Sequence, residues 1–283
     1  MKTTNLKINE SHVHYYEWGT NKKTSMVCLH GLANTGAVFS ELAEYLKDEY
    51  HLISFDSPGH GKTSSFKKET DYLFSNLADW YDNVFQQIVQ EPFYILGHSW
   101  GADIALHYAK KYPEKIKGVI LLDGGYTFPD FQEDMTFVKV YDAWNHYMDH
   151  SSTFDTWTGV VEAYKHYTAE WNEEKEQMVR TLFHQKETYQ LISSTFTVLS
   201  IIKAFFKESF QRTYPYIQSP LLLIYATLPK DLNEARSKGV RELKQHIENV
   251  TIVPIDEAGH MVHWDSPKKV ADSIKHWSKK SDS

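Results

Sequence analysis

A chain of 283 residues is long enough for one large domain with a substantial core, and its single cysteine, Cys28, excludes an internal disulfide. The net charge of -7 is spread without a basic stripe, which speaks against nucleic acid as a partner. No apolar run approaches the roughly 18 residues of a membrane span, and the first residues lack an apolar signal core, so the composition points to a soluble, cytoplasmic protein.

From Leu6 to Gly19, two short β-like segments flank the turn residues "NESH" and predict a hairpin at a sheet edge. Six apolar runs follow: "SMVCLHG", "HLISFDSPG", "FYILGHS", "IKGVILLDGG", "PLLLIYAT" and "VTIVPIDEAGH". Each stops at glycine or a polar cluster, as strands buried on both faces do. The intervening stretches predict amphipathic helices near 38–47, 72–90, 100–111, 232–246 and 267–279, hence parallel βαβ units. Cys28 falls inside the first of these runs and reads as a small buried hydrophobe. Only the tail "SKKSDS" looks frayed.

About 90 residues separate "GVILLDGG" from "PLLLIYAT", and they look helical, with no run resembling a buried strand. The stretch Tyr126 to Phe210 holds 18 Phe, Tyr and Trp in 85 positions, denser than the chain's overall 14%, so some of these rings are candidates for a pocket wall. Trp144 and Trp157 are two such positions. His146 and His150 lie one helical turn apart there, but Tyr147 stands where a zincin needs glutamate and no third ligand can be named, so no metal site is expected.

The stretch "FDSPGHGKTSS" ends in Gly61-Lys62-Thr63, as a phosphate-binding P-loop does. Five positions before Gly61, however, stands Asp56 instead of glycine, and Pro58 removes an N–H from any phosphate cradle. The segment reads as a sharp turn after a strand, with His60 and Lys62 exposed.

The strongest chemical signal is "FYILGHSWGADIALHYAKKYP", where a buried strand runs through Gly97-His98-Ser99-Trp100-Gly101 into a helix. A G-x-S-x-G elbow of this kind lifts Ser99 to the helix start, and its glycines leave room for the turn. The N–H of Trp100 can there donate to an oxyanion, aided by the helix dipole. Serine needs a base, and His260, just past the last strand, would reach the same sheet edge; His263, nearer the next helix, reads as structural. A second oxyanion donor is the N–H of Leu32, in the loop "HGLANTG".

Strand-HG-x, then D-x-x-G-H-G, G-H-S-x-G and a late G-H together resemble the α/β-hydrolase superfamily over nearly the whole chain. The resemblance implies an α/β fold with a mostly parallel eight-stranded sheet, helices on both faces, a Ser-acid-His triad and no cofactor. It divides the chain into a discontinuous core, 1–126 and 213–283, and a helical cap, 127–212. Ser99 argues against the haloalkane dehalogenases and epoxide hydrolases of this fold, whose elbow residue is aspartate, and the single "HGL" argues against "HGGG" lipases and esterases.

Many relatives carry the acid after the seventh strand, where this chain reads Ala226-Thr227-Leu228-Pro229; Asp231, two residues on, is one candidate, with a helix N-cap as its structural role. A subset places it after the sixth strand, and Asp123, followed by two glycines that can bring the backbone close to a histidine loop, is preferred. The expected activity is hydrolysis of a small to medium, partly apolar carboxylic ester through an acyl-enzyme. The same machinery could cleave lactones, thioesters, amides or C–C bonds, or act as a perhydrolase; a binding module with little turnover is the alternative of a different class.

Overall fold

The computed structural model describes residues 1–8 and 10–281. Strands β1 (Lys2–Ile8) and β2 (Ser11–Trp18) form the expected edge hairpin, with Lys2 opposite Glu17 and Ile8 opposite Ser11. Asn9, in its predicted turn, lies outside the described residues, as do 282 and 283 of the predicted frayed tail. Strand and helix then alternate: β3 (Thr24–Leu29), α1 (Ser40–Leu46), β4 (Tyr50–Phe55), α2 (Phe74–Phe85), β5 (Phe93–His98), α3 (Trp100–Lys111) and β6 (Ile116–Leu122).

The long gap holds α4 (Phe137–His150), β7 (Thr153–Phe154), α5 (Trp157–Lys165), α6 (Glu173–Arg180), β8 (Phe183–Gln185), β9 (Tyr189–Leu191) and α7 (Thr195–Lys207). It is therefore not wholly helical, because three very short strands form their own antiparallel sheet, β7-β9-β8. The chain returns through β10 (Leu221–Ala226), α8 (Asn233–His246), β11 (Val250–Ile255), α9 (Val262–Asp265) and α10 (Pro267–Ser281). Helix α10 carries through the first four residues of the tail that sequence alone reads as frayed.

The eight-stranded sheet runs β1-β2-β4-β3-β5-β6-β10-β11, with β2 antiparallel to both neighbours and all later pairings parallel. Strands β4 and β5 are buried throughout because helices cover both faces. Alternate residues of β3 show this: Val27 and Leu29 join one apolar layer, Met26 and Cys28 the other. Strand β11 departs from the expectation of two buried faces, since it is the sheet's other edge and only Ile255 in it is buried.

This order places the site. From β3 the chain crosses to β4 on one side and then returns to β5 on the other, so the loops leaving β3 and β5 diverge at a topological switch point. A crevice opens there, at the carboxyl ends of the parallel strands.

Candidate active site

The elbow sits at this crevice. Ser99 adopts φ 51° and ψ −121°, a left-handed strained backbone that carries its side chain off the end of β5 and leaves it as the residue before α3. Close approach explains the flanking glycines: a Cβ on Gly97 would lie 2.2 Å from the Gly101 carbonyl oxygen, and one on Gly101 2.1 Å from that of Leu29. Trp100 opens α3, so its N–H has no intrahelical acceptor and lies at the positive end of the helix dipole. Leu32 and Gly31, in the loop after β3, line the same cavity as Ser99.

That loop is held by two buried imidazoles. His30 Nδ1–H donates to the Gly31 carbonyl at 2.7 Å and its Nε2 accepts the Ser57 N–H at 3.0 Å. His60 Nδ1–H donates to the Pro58 carbonyl, and its Nε2 accepts the Ala33 N–H at 3.1 Å. His60 is therefore fully buried, contrary to the expectation of an exposed turn residue; only Lys62 is exposed. The missing P-loop also finds its explanation, because the Asp56 carboxylate, which also accepts the Gly36 N–H, takes the Lys62 N–H that a phosphate in this stretch would have needed.

His260 and Asp123 come together from distant parts of the chain. His260 Nδ1 donates to Asp123 Oδ2 at 2.7 Å, while Oδ1 accepts from the Ala226 N–H at 3.1 Å and the Tyr126 hydroxyl at 3.0 Å. Burial pushes the Asp123 carboxyl up, but the hydrogen bond and charge of His260, with the Ala226 and Tyr126 donors, outweigh it and hold it below the usual range. The Gly124 backbone approaches Ser99, where a Cβ would lie 2.5 Å from the Ser99 carbonyl oxygen, and not the histidine loop as its sequence position suggests. Asp231 lies exposed in the turn Lys230–Leu232 and does not cap α8, whose N-cap is Leu232.

Three imidazoles crowd this corner. The His98 ring centroid lies 4.8 Å from that of His260 and 4.6 Å from that of His263, and its Nε2–H donates to the His260 carbonyl at 3.0 Å. Burial, then the charges of His263 and His260, hold His98 far below the ordinary imidazole value; burial and His260 bring His263 down to about 3. Both stay neutral near pH 7, and His263 is fully buried against Phe39. His260 is thus the solvent-exposed imidazole of the three. His98 and Tyr126 had no assigned role from sequence; the x of G-x-S-x-G gave no signal.

Ser99 and His260 border the same two cavities, with no direct hydrogen bond between them. The larger, about 370 Å³, is walled by Leu32, Trp144, Tyr147, Tyr164, Tyr167 and Trp264 among others. The smaller, about 220 Å³, lies on the Asp123 side and is lined by polar groups including Asp103, Gln132 and Arg236. Trp157 borders neither: its indole N–H donates to Glu176 at 2.6 Å and Arg180 stacks on its ring. His146 and His150 are exposed on α4, stacked on each other, and no cluster of three His, Cys, Asp or Glu able to hold a metal occurs among the described residues. Nor is any helix among them long and apolar enough to cross a membrane.

Comparison with known proteins agrees with the architecture. Serine hydrolase-like protein of Danio rerio is 31% identical over 106 residues, 38% of this chain and 32% of that protein. The (E)-2-((N-methylformamido)methylene)succinate hydrolase of Acinetobacter baylyi (strain ATCC 33305 / BD413 / ADP1) is 29% identical over 125 residues, 44% of this chain and 46% of the relative. The matches thus span a third to a half of these relatives' length. Among solved structures, E-2-(acetamidomethylene)succinate hydrolase superposes with a TM-score of 0.79 at 20% identity, covering 98% of this chain and 99% of that one. The family described as alpha/beta hydrolase fold matches residues 24–267. By that match, and by a sheet and elbow of the same design, this chain belongs to the α/β-hydrolase fold family.

Proposed function

We propose that the protein is a serine hydrolase that cleaves a small to medium, partly apolar carboxylic ester through an acyl-enzyme. The observation that carries this reading is the 2.7 Å bond from His260 to the buried Asp123 carboxylate beside a serine held in a strained elbow. Ser99 attacks the carbonyl as His260 Nε2 takes its proton; Asp123 fixes the tautomer and stabilises the imidazolium. The N–H groups of Leu32 and Trp100 receive the oxyanion. His260 then returns the proton to the departing alkoxide, and a water deprotonated by the same imidazole releases the acid and restores Ser99.

In this reading residues 127–212 act as a cap on a core made of 1–126 and 213–283, and the ring-lined cavity takes the apolar part of the substrate. A fluorophosphonate should label Ser99 alone, and Ser99→Ala should abolish both labelling and turnover of an activated ester. Full ester turnover in that variant would overturn the proposal. A binding module without chemistry would release no burst of alcohol from such an ester.

A further inference from the structure

The smaller cavity contains a charge that the hydrolase reading leaves unused. Arg236 is only 5% exposed and lines that cavity along with Ser99 and His260. Its hydrogen bonds go to neutral acceptors: Nη1 to the Pro229 carbonyl at 2.6 Å and to Asn233 Oδ1 at 3.1 Å, Nη2 to the Leu228 carbonyl at 2.6 Å. The guanidinium also contacts the Tyr126 hydroxyl, which in turn donates to Asp123, but that carboxylate is committed to His260. Among the described residues no carboxylate pairs with Arg236 directly.

A buried cation without a counter-ion is costly, and guanidinium keeps its charge where an amine would lose it. Its position makes the cost greater, because Arg236 stands in the first turn of the 14-residue α8, at the positive end of the helix dipole. The three neutral acceptors leave part of its five-donor fork free.

Asp103 is the second observation. It projects from the first turn of α3 into the same cavity, is 2% exposed, and its Oδ1 has no hydrogen-bond partner. An ionised carboxylate there would repel an anion. Burial, reinforced by the charge of Asp130, instead holds its carboxyl well above the usual range and so favours the uncharged acid, which has an O–H to donate. A fixed cation and a buried acid with an unpartnered oxygen then line one small space that Ser99 also borders.

We propose that the smaller cavity binds a carboxylate carried by the substrate, with Arg236 as its counter-ion and Asp103 as a hydrogen-bond donor to it. The substrate is therefore an anionic ester: an apolar part lies among the rings of the larger cavity, the scissile carbonyl at Ser99, and a carboxylate a few bonds away on the Asp123 side. This inference rests on the hydrolase reading for its chemistry but not for its binding contact.

The test uses two pairs that differ only in charge. The first sets the butyrate ester of glycolic acid against that of glycolamide; the second sets monoethyl succinate against ethyl succinamate. They place the charge on the alcohol and acyl sides respectively. For at least one pair, kcat/KM should favour the anion by about 10- to 100-fold, the range for a charge-assisted hydrogen bond. Arg236→Gln should bring the ratio to near one and Arg236→Lys should keep part of it, with circular dichroism showing both folded. Equal rates within both pairs in the wild-type protein, or a ratio untouched in Arg236→Gln, would overturn the proposal. Calorimetric titration of Ser99→Ala with the same four esters reads the contact without turnover. If the wild-type protein cleaves none of them, the hydrolase reading is at fault; equal affinity for charged and neutral members sinks the carboxylate site alone.

Discussion

Sequence context favours Asp123 over Asp231, and their surroundings differ entirely: the Asp123 carboxylate is nearly buried against His260, whereas Asp231 is exposed on a turn. If Asp123 orients the base, Asp123→Asn should lower ester turnover by roughly 10⁴ with the fold intact, as loss of a triad carboxylate does. Asp231→Asn should keep nearly full activity. Both variants assayed on one activated ester, with circular dichroism, decide the point; a collapse in Asp231→Asn beside a normal Asp123→Asn would reverse the assignment. At this scale the sequence carried the serine elbow, because its glycines answer a local steric demand. It did not carry the buried role of His60, whose partners Pro58 and Ala33 include one from another loop, nor the orphan charge of Arg236, which exists only because no acid reaches it across the fold.

Elements were legible where one face or both had to be apolar over several residues. Helix α3 runs from Trp100 to Lys111, as its pattern predicts, since every residue up to Ala109 is buried between the sheet and α2. The strands of the inserted segment were not legible, because two or three residues are too few for a period and their pairing is wholly non-local. The same segment separates two tryptophans that sequence could not rank. Trp144 faces the larger cavity, while Trp157 is spent on Glu176 and Arg180 at the surface. Trp144→Ala should therefore shift the preferred acyl length toward longer chains more than it changes turnover of an acetate ester, since a pocket wall acts on remote substrate atoms. Trp157→Ala should lower thermal stability and leave that profile unchanged. A panel of 4-nitrophenyl esters from acetate to decanoate measures both, and an unaltered profile in Trp144→Ala would remove that ring from the substrate's path.

The whole molecule stores an unusual number of neutral buried imidazoles. Burial, with smaller contributions from neighbouring charges, brings His30 and His263 to about 3 and His60 and His107 to about 4, and puts His98 well below its ordinary value. In the unfolded chain each would take a proton below its ordinary value of 6.5, whereas the fold refuses it until the lowered value is reached. The unfolded state thus binds more protons in this window, and stability must fall as pH drops from about 6.5 toward 4, by about 1.4 kcal/mol per pH unit for each histidine. Asp103 acts in the opposite sense, because its raised value lets the folded state hold a proton that the unfolded chain gives up above about 3.8. The four histidines held at about 3 to 4 alone contribute about 5 kcal/mol per pH unit, a slope to which His98 adds and from which Asp103 subtracts. Against a typical total stability of about 5–15 kcal/mol, that slope predicts cooperative acid unfolding near pH 5, above the range in which surface carboxylates titrate. Urea unfolding followed from pH 8 to pH 5 measures the slope directly. His263 has no hydrogen bond at either ring nitrogen, so His263→Phe removes a titrating group without breaking a bond. Whatever overpacking does to its stability at pH 8, the slope below pH 6.5 should fall by about 1.4 kcal/mol per unit. A slope equal to that of the parent would mean that His263 takes up its proton equally in the folded and unfolded chains.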